Sequence, residues 1–171
     1  DLVLMRIVDT QLSIPGLLLA VALAGALEPG LKNIIIVLTV YSWPPFARVI
    51  RGEVLSIKER DFVVIAKLFG SSRIFIIFKH FLPNVLNTFV VLATLQVGRL
   101  IIFEASLSYL GLGVQPPTPA WGSMLADGRN YIVGSWWLAT LPGLAILFTC
   151  LGMNLFGDWL RDAMDPKLRQ I

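Results

Sequence analysis

The sequence predicts an all-α fold, a polytopic bundle of membrane-spanning helices, and three observations support this prediction. Of the 171 residues, 56% are hydrophobic and 15% are charged, and the mean hydropathy is +0.77. A soluble domain carries about 25% charged residues. The apolar residues form long uncharged runs, and basic residues concentrate in one connection between the runs. The net charge of +3 is too small to indicate nucleic-acid binding.

The uncharged runs define the predicted spans. The run over 10–27 has 18 residues, and as a helix it would be about 27 Å long, close to the roughly 30 Å hydrocarbon core of a bilayer. The predicted spans of this single 1–171 domain lie near residues 8–27, 31–48, 85–110 and 135–156. A soluble bundle is a weaker alternative, because soluble helices rarely run so long without a polar stripe.

The basic residues predict the orientation of the chain. Seven of them lie within residues 48–80, at the end of the second predicted span and in the connection after it: Arg48, Arg51, Lys58, Arg60, Lys67, Arg73 and Lys79. The C-terminal tail adds Arg161, Lys167 and Arg169, whereas the connections at 28–32 and 111–134 hold one basic residue each. By the positive-inside rule, both ends of this chain and the 49–84 loop are expected to be cytoplasmic. An even number of spans agrees with this arrangement.

The 49–84 loop is predicted to be helical. Residues 56–69 place charges in the first turns and an apolar body after them, a pattern typical of a helix. Gly70 is a candidate C-terminal cap, and one of the serines at 71–72 is a candidate N-cap for a second helix over 73–82.

Ala66 and Gly70 are four residues apart, so on one helix they would share a face. Two small residues there would form a notch that lets the backbone of another protein approach closely. An amphipathic helix lying on the membrane surface explains the pattern equally well. The residues alone leave both alternatives open.

The loop resembles the cytoplasmic motif of ATP-binding cassette (ABC) importer permeases. The family pattern is E-A-A, three residues, Gly, nine residues and I-x-L-P, and residues 63–84 read VVIAKLFGSSRIFIIFKHFLPN. The positions that match are Ala66, Gly70, Leu82 and Pro83. The positions that depart from the pattern are Val64, Ile65 and His80. Stretches at 103–131 and 154–169 are similar to the dipeptide/oligopeptide (C-type) permease branch.

This resemblance implies a type I (MetI-like) transmembrane fold in a prokaryotic inner membrane. Family members usually have six spans, so this chain, which begins at Asp1 directly before a span, looks like the last four. The implied partners are a second homologous permease, two ATPase subunits, an extracytoplasmic solute-binding protein and membrane lipid, with no nucleic acid and no cofactor. In such importers the loop helix docks into a groove on the ATPase.

Enzyme chemistry is not expected of this chain. The phosphate-loop pattern G-x-x-x-x-G-K-[ST] does not occur in the sequence, so ATP hydrolysis is assigned to a separate subunit. Asp158, Asp162 and Asp165 are near one another in sequence, but a helix that ends at Asp165 and Pro166 explains them better than a metal site does. No catalytic or metal-ligating residue is therefore assigned.

Two charges, Arg99 and Glu104, fall within the third predicted span. Either one costs about 2.5–3.5 kcal/mol at the bilayer centre, so each is expected to face the pathway, the bundle interior or a partner. They are about 140° apart around a helix and are not expected to pair. Two alternatives to an ABC importer permease stay open here. One is a membrane anchor without a pathway, and the other is an ion- or proton-coupled carrier in which Glu104 relays the ion or proton.

Overall fold

The computed structural model describes residues 1–164, a range that is built from helices and short connections. The α-helices are α1 Leu2–Ser13, α2 Gly16–Gly25, α3 Leu31–Lys58, α4 Asp61–Leu68, α5 Arg73–Ile76, α6 Leu82–Tyr109, α7 Trp121–Gly128 and α8 Trp137–Met164. A π-helical turn, Ile77–Phe81, joins α5 to α6. A 3-10 turn, Arg129–Tyr131, follows α7. The predicted all-α class is confirmed.

Three helices are long and apolar enough to cross a membrane: α3, the continuous helix Arg73–Tyr109, and α8. The first two helices, α1 and α2, pass the same test only as a pair, and they are bent by 94°. The described chain therefore has three candidate spans, or four if the bent pair counts as one. Large apolar side chains are exposed along these helices, as expected for surfaces that meet lipid or other apolar subunits.

The segment predicted as one span over 8–27 is two helices. The chain leaves α1 at Ile14, whose backbone is extended at φ −87° and ψ 132°. Pro15 explains the break, because proline lacks an N–H donor and disfavours a helical conformation in the residue before it. The break replaces the straight helix that the uncharged run suggested.

The other boundaries also differ from the sequence-based ones. Helix α3 continues ten residues past position 48 and ends at Lys58, so the loop helix begins at Asp61 instead of residue 56. The helix predicted over 73–82 does not stop at Pro83, because it continues into α6 through the π-helical turn. Asp165 and Pro166, where the last helix was expected to end, lie outside the described residues.

Helix α6 is central in the packing, with α3 on one side and α8 on the other. The Tyr41 and Phe103 rings stack with their centroids 4.2 Å apart, joining α3 to α6. On the other side, the Cys150 thiol lies 3.3 Å from the carbonyl oxygen of Gly98. A Cβ at Gly98 would lie 3.1 Å from Oδ1 of Asn154, so this glycine permits the close approach of α6 and α8.

Candidate functional site: the loop between α3 and α6

The connection between α4 and α5 is fixed by two backbone caps. Helix α4 ends in a Schellman motif, in which the Ser71 amide donates to the Ala66 carbonyl and the Gly70 amide to the Lys67 carbonyl, both at 3.0 Å. Gly70 has the left-handed φ of 74° that this motif requires. The Ser72 hydroxyl then accepts from the Phe75 amide at 3.2 Å and caps α5. The predicted caps are confirmed, with Ser72 as the N-cap.

Ala66 and Gly70 do not share a helix face, and this corrects the sequence-based expectation. Ala66 belongs to α4, whereas Gly70 lies after its end. A Cβ at Gly70 would meet nothing within 4 Å, so its backbone conformation, and not a neighbouring atom, requires glycine. Ala66 packs inward against a buried cluster. No small-residue notch is formed by this pair.

That buried cluster joins four parts of the chain. Ile57 of α3, Val63 of α4 and Ile76 of α5 form its centre, and Phe81 of the π-helical turn and Val85 of α6 pack against it. Ile57 and Val63 are completely buried. Helix α4 is therefore attached to both α3 and the long helix Arg73–Tyr109.

Two apolar side chains project from the end of α4. Leu68 is 81% exposed and Phe69 is 86% exposed. We call this pair the α4 tip. Sequence reasoning assigned the binding surface to the small residues instead, although an apolar pair directly before the capping glycine is visible in the sequence.

Leu82 and Pro83 lie at the start of α6, in its first turn. Proline is well tolerated in the first turn of a helix because its missing N–H is not needed there. The preceding π-helical turn keeps the helix continuous, and the Asn84 side-chain amide donates to the His80 carbonyl at 2.6 Å. These residues keep the helix Arg73–Tyr109 continuous from the loop into the span.

A basic cavity lies beside the loop. It has a volume of about 590 Å³, and its charged lining residues are Lys58, Lys67 and Arg73. The rest of the lining is Ser71, Ile76, Ile77 and Phe81, so among the described residues no carboxylate lines this cavity. Such a surface favours an acidic partner group.

Arg99 and Glu104 are not brought together. In the described part of the chain, the ion pairs are Arg48–Asp9 and Arg51–Asp1, both at 2.7 Å, which join α1 to α3. The expectation that Arg99 and Glu104 do not pair thus agrees with the structure.

Glu104 instead helps to hold the segment that follows α6. Its carboxylate accepts a hydrogen bond from the Ser108 hydroxyl at 2.6 Å. The same hydroxyl accepts from the Val114 amide at 3.2 Å. Ser108 is 3% exposed. We call this set of three residues the Glu104 latch.

Helix α7 covers the same end of α6. A Cβ at Gly122 would lie 2.1 Å from the Ala105 carbonyl oxygen, so only glycine fits there. Because Gly122 permits this approach, α7 rests directly on the backbone of α6. Among residues 1–164, no group of three or more His, Cys, Asp or Glu side chains is placed to hold a metal ion.

Comparison with known proteins agrees with this arrangement. A model of the family described as "Binding-protein-dependent transport system inner membrane component" matches residues 1–170. The chain is 46% identical over 166 residues to the di/tripeptide transport system permease protein DppC of Pseudomonas aeruginosa (strain UCBPP-PA14), which covers 97% of this chain and 55% of the relative.

Two further relatives give the same result. The chain is 45% identical over 167 residues to the probable D,D-dipeptide transport system permease protein DdpC of Escherichia coli (strain K12), covering 98% of this chain and 56% of that protein. It is 45% identical over 169 residues to the glutathione transport system permease protein GsiD of Shigella flexneri serotype 5b (strain 8401). This match covers 99% of this chain and 56% of that protein. The chain spans about half the length of these curated relatives. The resemblance to ABC importer permeases is confirmed, and the chain belongs to the family of binding-protein-dependent transport system inner membrane components.

Proposed function

We propose that this chain is the permease part of an ABC importer that moves dipeptides, tripeptides or similar small peptides such as glutathione. The printed names of the relatives support this substrate class. The observation that carries the proposal is the α4 tip, Leu68 and Phe69, which is exposed on a helix packed against the start of a membrane-spanning helix. An exposed apolar tip in that position can bind a separate ATPase subunit and pass its movement to the membrane-spanning helix.

The assembled importer contains a second homologous permease, two ATPase subunits and an extracytoplasmic solute-binding protein besides this chain. The family description supports the dependence on a binding protein. Lys58, Arg60 and Lys67 around α4 favour a cytoplasmic loop, with both ends of this chain on the same side. The segment at 110–136 then faces outward, toward the binding protein.

Coupling follows from the attachment of α4. The α4 tip enters an apolar groove on the ATPase, and the neighbouring cations Lys58, Lys67 and Arg73 meet acidic side chains at its rim. Ala66, Gly70, Leu82 and Pro83 act as positioning residues for the tip and its connection to α6.

The transport cycle has two states that ATP biases. Closure of the ATPase pair on ATP displaces α4, and the cluster of Ile57, Val63 and Ile76 transmits that displacement to α3 and α6. Helices that move as rigid bodies can open a central pathway first to one side of the membrane and then to the other. The ATPase can bias these states only if it contacts α4 differently in each.

The α4 tip can be tested in the reconstituted importer. In the double variant Leu68→Asp with Phe69→Asp, charges replace the apolar contact, so ATP-driven uptake of Ala-Ala and of glutathione should fall at least tenfold. Co-purification of the ATPase should fall in parallel. The matched control is the double variant Leu68→Met with Phe69→Leu, which keeps the exposed tip apolar and should keep both activities. Uptake by the double variant at the wild-type rate would contradict the proposal.

A further inference from the structure

A small cavity lies at the break between α1 and α2, and among the described residues that line it Arg99 is the one that carries a charge. The cavity has a volume of about 150 Å³. Its other lining residues are Gln11, Leu12, Ile14, Gly16, Leu19, Tyr41, Pro44 and Pro45. The cavity therefore lies where four helices meet, and its one charged group is the Arg99 guanidinium. These helices are α1, α2, α3 and α6.

The polar side chain beside Arg99 is already occupied. Pro44 has no N–H, so the Val40 carbonyl in α3 lacks its usual donor. The Gln11 side-chain amide donates to that carbonyl, and its oxygen accepts from the Trp43 indole N–H at 3.0 Å. Gln11 thus holds one wall of the cavity in place through hydrogen bonds to Val40 and Trp43, and it makes no hydrogen bond to Arg99.

Arg99 itself has no partner within residues 1–164. Its guanidinium takes part in none of the hydrogen bonds or ion pairs there, and its side chain is exposed. A charge in a membrane-spanning helix is costly unless it meets water, a counter-charge or a ligand. The guanidinium fork matches a carboxylate with two parallel hydrogen bonds.

We propose that Arg99 binds the terminal carboxylate of the transported peptide. This inference rests on the proposed function and names the chemical feature that the pathway recognises. A cavity of about 150 Å³ is smaller than the roughly 300–1,000 Å³ of a pocket that encloses a whole ligand. It accommodates the carboxylate end, and the rest of the peptide lies in the open pathway.

The experiment measures binding to the whole importer complex in nanodiscs, without the solute-binding protein. The labelled probe is Ala-Ala or glutathione, whichever the uptake assay shows to be transported, and the competitors are the unlabelled peptide and its C-terminal amide. The wild-type complex should prefer the acid to the amide at least tenfold, because charge-assisted hydrogen bonds are about twice as strong as neutral ones. Arg99→Gln should reduce that preference to less than twofold, and Arg99→Lys, which keeps the charge but lacks the guanidinium fork, should give an intermediate preference.

The matched control is Arg129→Gln, because Arg129 lies over the Tyr109 ring and outside the cavity. It should keep the wild-type preference. An unchanged preference in Arg99→Gln would overturn the inference. Equal loss of acid and amide binding would also overturn it, since that result indicates a structural contact such as a carboxylate of the second permease. The inference would also be overturned if the wild-type complex transported the probe but showed no saturable binding of it. If the complex transported neither Ala-Ala nor glutathione, that result would contradict the proposed function instead.

Discussion

At the residue scale, Gly70 shows how one backbone angle organises the loop. Its left-handed φ of 74° allows the two hydrogen bonds that end α4, and Leu68 and Phe69 project directly before it. A non-glycine residue pays about 1–2 kcal/mol for this conformation, and asparagine pays less. The direction in which the α4 tip points therefore depends on the backbone conformation of Gly70, and not on packing around this residue.

Substitution of Gly70 tests this dependence. Gly70→Ala should weaken the Schellman motif by about 1 kcal/mol, which corresponds to roughly fivefold faster hydrogen exchange of the amides at positions 70 and 71. Gly70→Asn should have a smaller effect. Gly52→Ala is the control, because Gly52 lies inside α3 with free space around it and without a positive φ. Equal exchange rates in Gly70→Ala and the wild type would contradict the conformational explanation.

Local residue patterns were predictable, and distant partners were not. The caps at Gly70 and Ser72 follow from the few residues around them, so the sequence was sufficient. Gln11 gave no such signal, since its partner Val40 is 29 residues away in the chain. Likewise, the outward position of Leu68 depends on how α4 packs against the buried cluster, which requires three-dimensional contacts.

At the element scale, the Glu104 latch connects α6 to the segment that follows it. Ser108→Ala removes the acceptor of the Val114 amide and the donor to Glu104. A lost buried hydrogen bond costs about 1–3 kcal/mol, so amides over 110–119 should exchange at least fivefold faster. Ser106→Ala is the control, since the Ser106 hydroxyl bonds only to the Ile102 carbonyl of its own helix. Unchanged exchange in Ser108→Ala would show that the latch does not hold this segment.

The same element distinguishes the importer from an ion-coupled carrier. In Glu104→Gln, the side-chain oxygen can still accept from Ser108, but the group can no longer carry a proton. We expect ATP-driven uptake of the transported peptide to stay within about threefold of wild type. Loss of uptake together with loss of its dependence on a proton gradient would favour the carrier.

Element boundaries were predictable only where one residue decides them. Pro15 ends α1 as its chemistry requires, yet Pro44 and Pro45 lie inside α3 without ending it. Part of the reason is that Gln11 supplies the donor that Pro44 removes. Pro83 does not interrupt its helix either, because it falls in the first turn of α6 after a π-helical turn.

At the scale of the whole molecule, composition and uncharged runs predicted the membrane class and the all-α fold, but not the 94° bend between α1 and α2. Large apolar side chains are exposed on the described helices, as expected for surfaces that meet lipid or other apolar subunits. Purification in mild detergent from the native membrane should recover a phosphate-loop ATPase and a second hydrophobic permease with this chain, identified by mass spectrometry. Recovery of the intact chain without any ATPase would instead favour the membrane-anchor alternative.

The continuous helix Arg73–Tyr109 spans 37 residues, which makes it a rod of about 55 Å. One end of it is fixed to α4 by the buried cluster, and the other end carries the Glu104 latch. A tilt of about 5° at the α4 end would displace the Glu104 end by roughly 5 Å over this length. A lever of this kind works in both directions, because coupling between two sites is reciprocal. In the proposed importer, a solute-loaded binding protein that presses on the Glu104 end would thereby change how tightly α4 holds the ATPase.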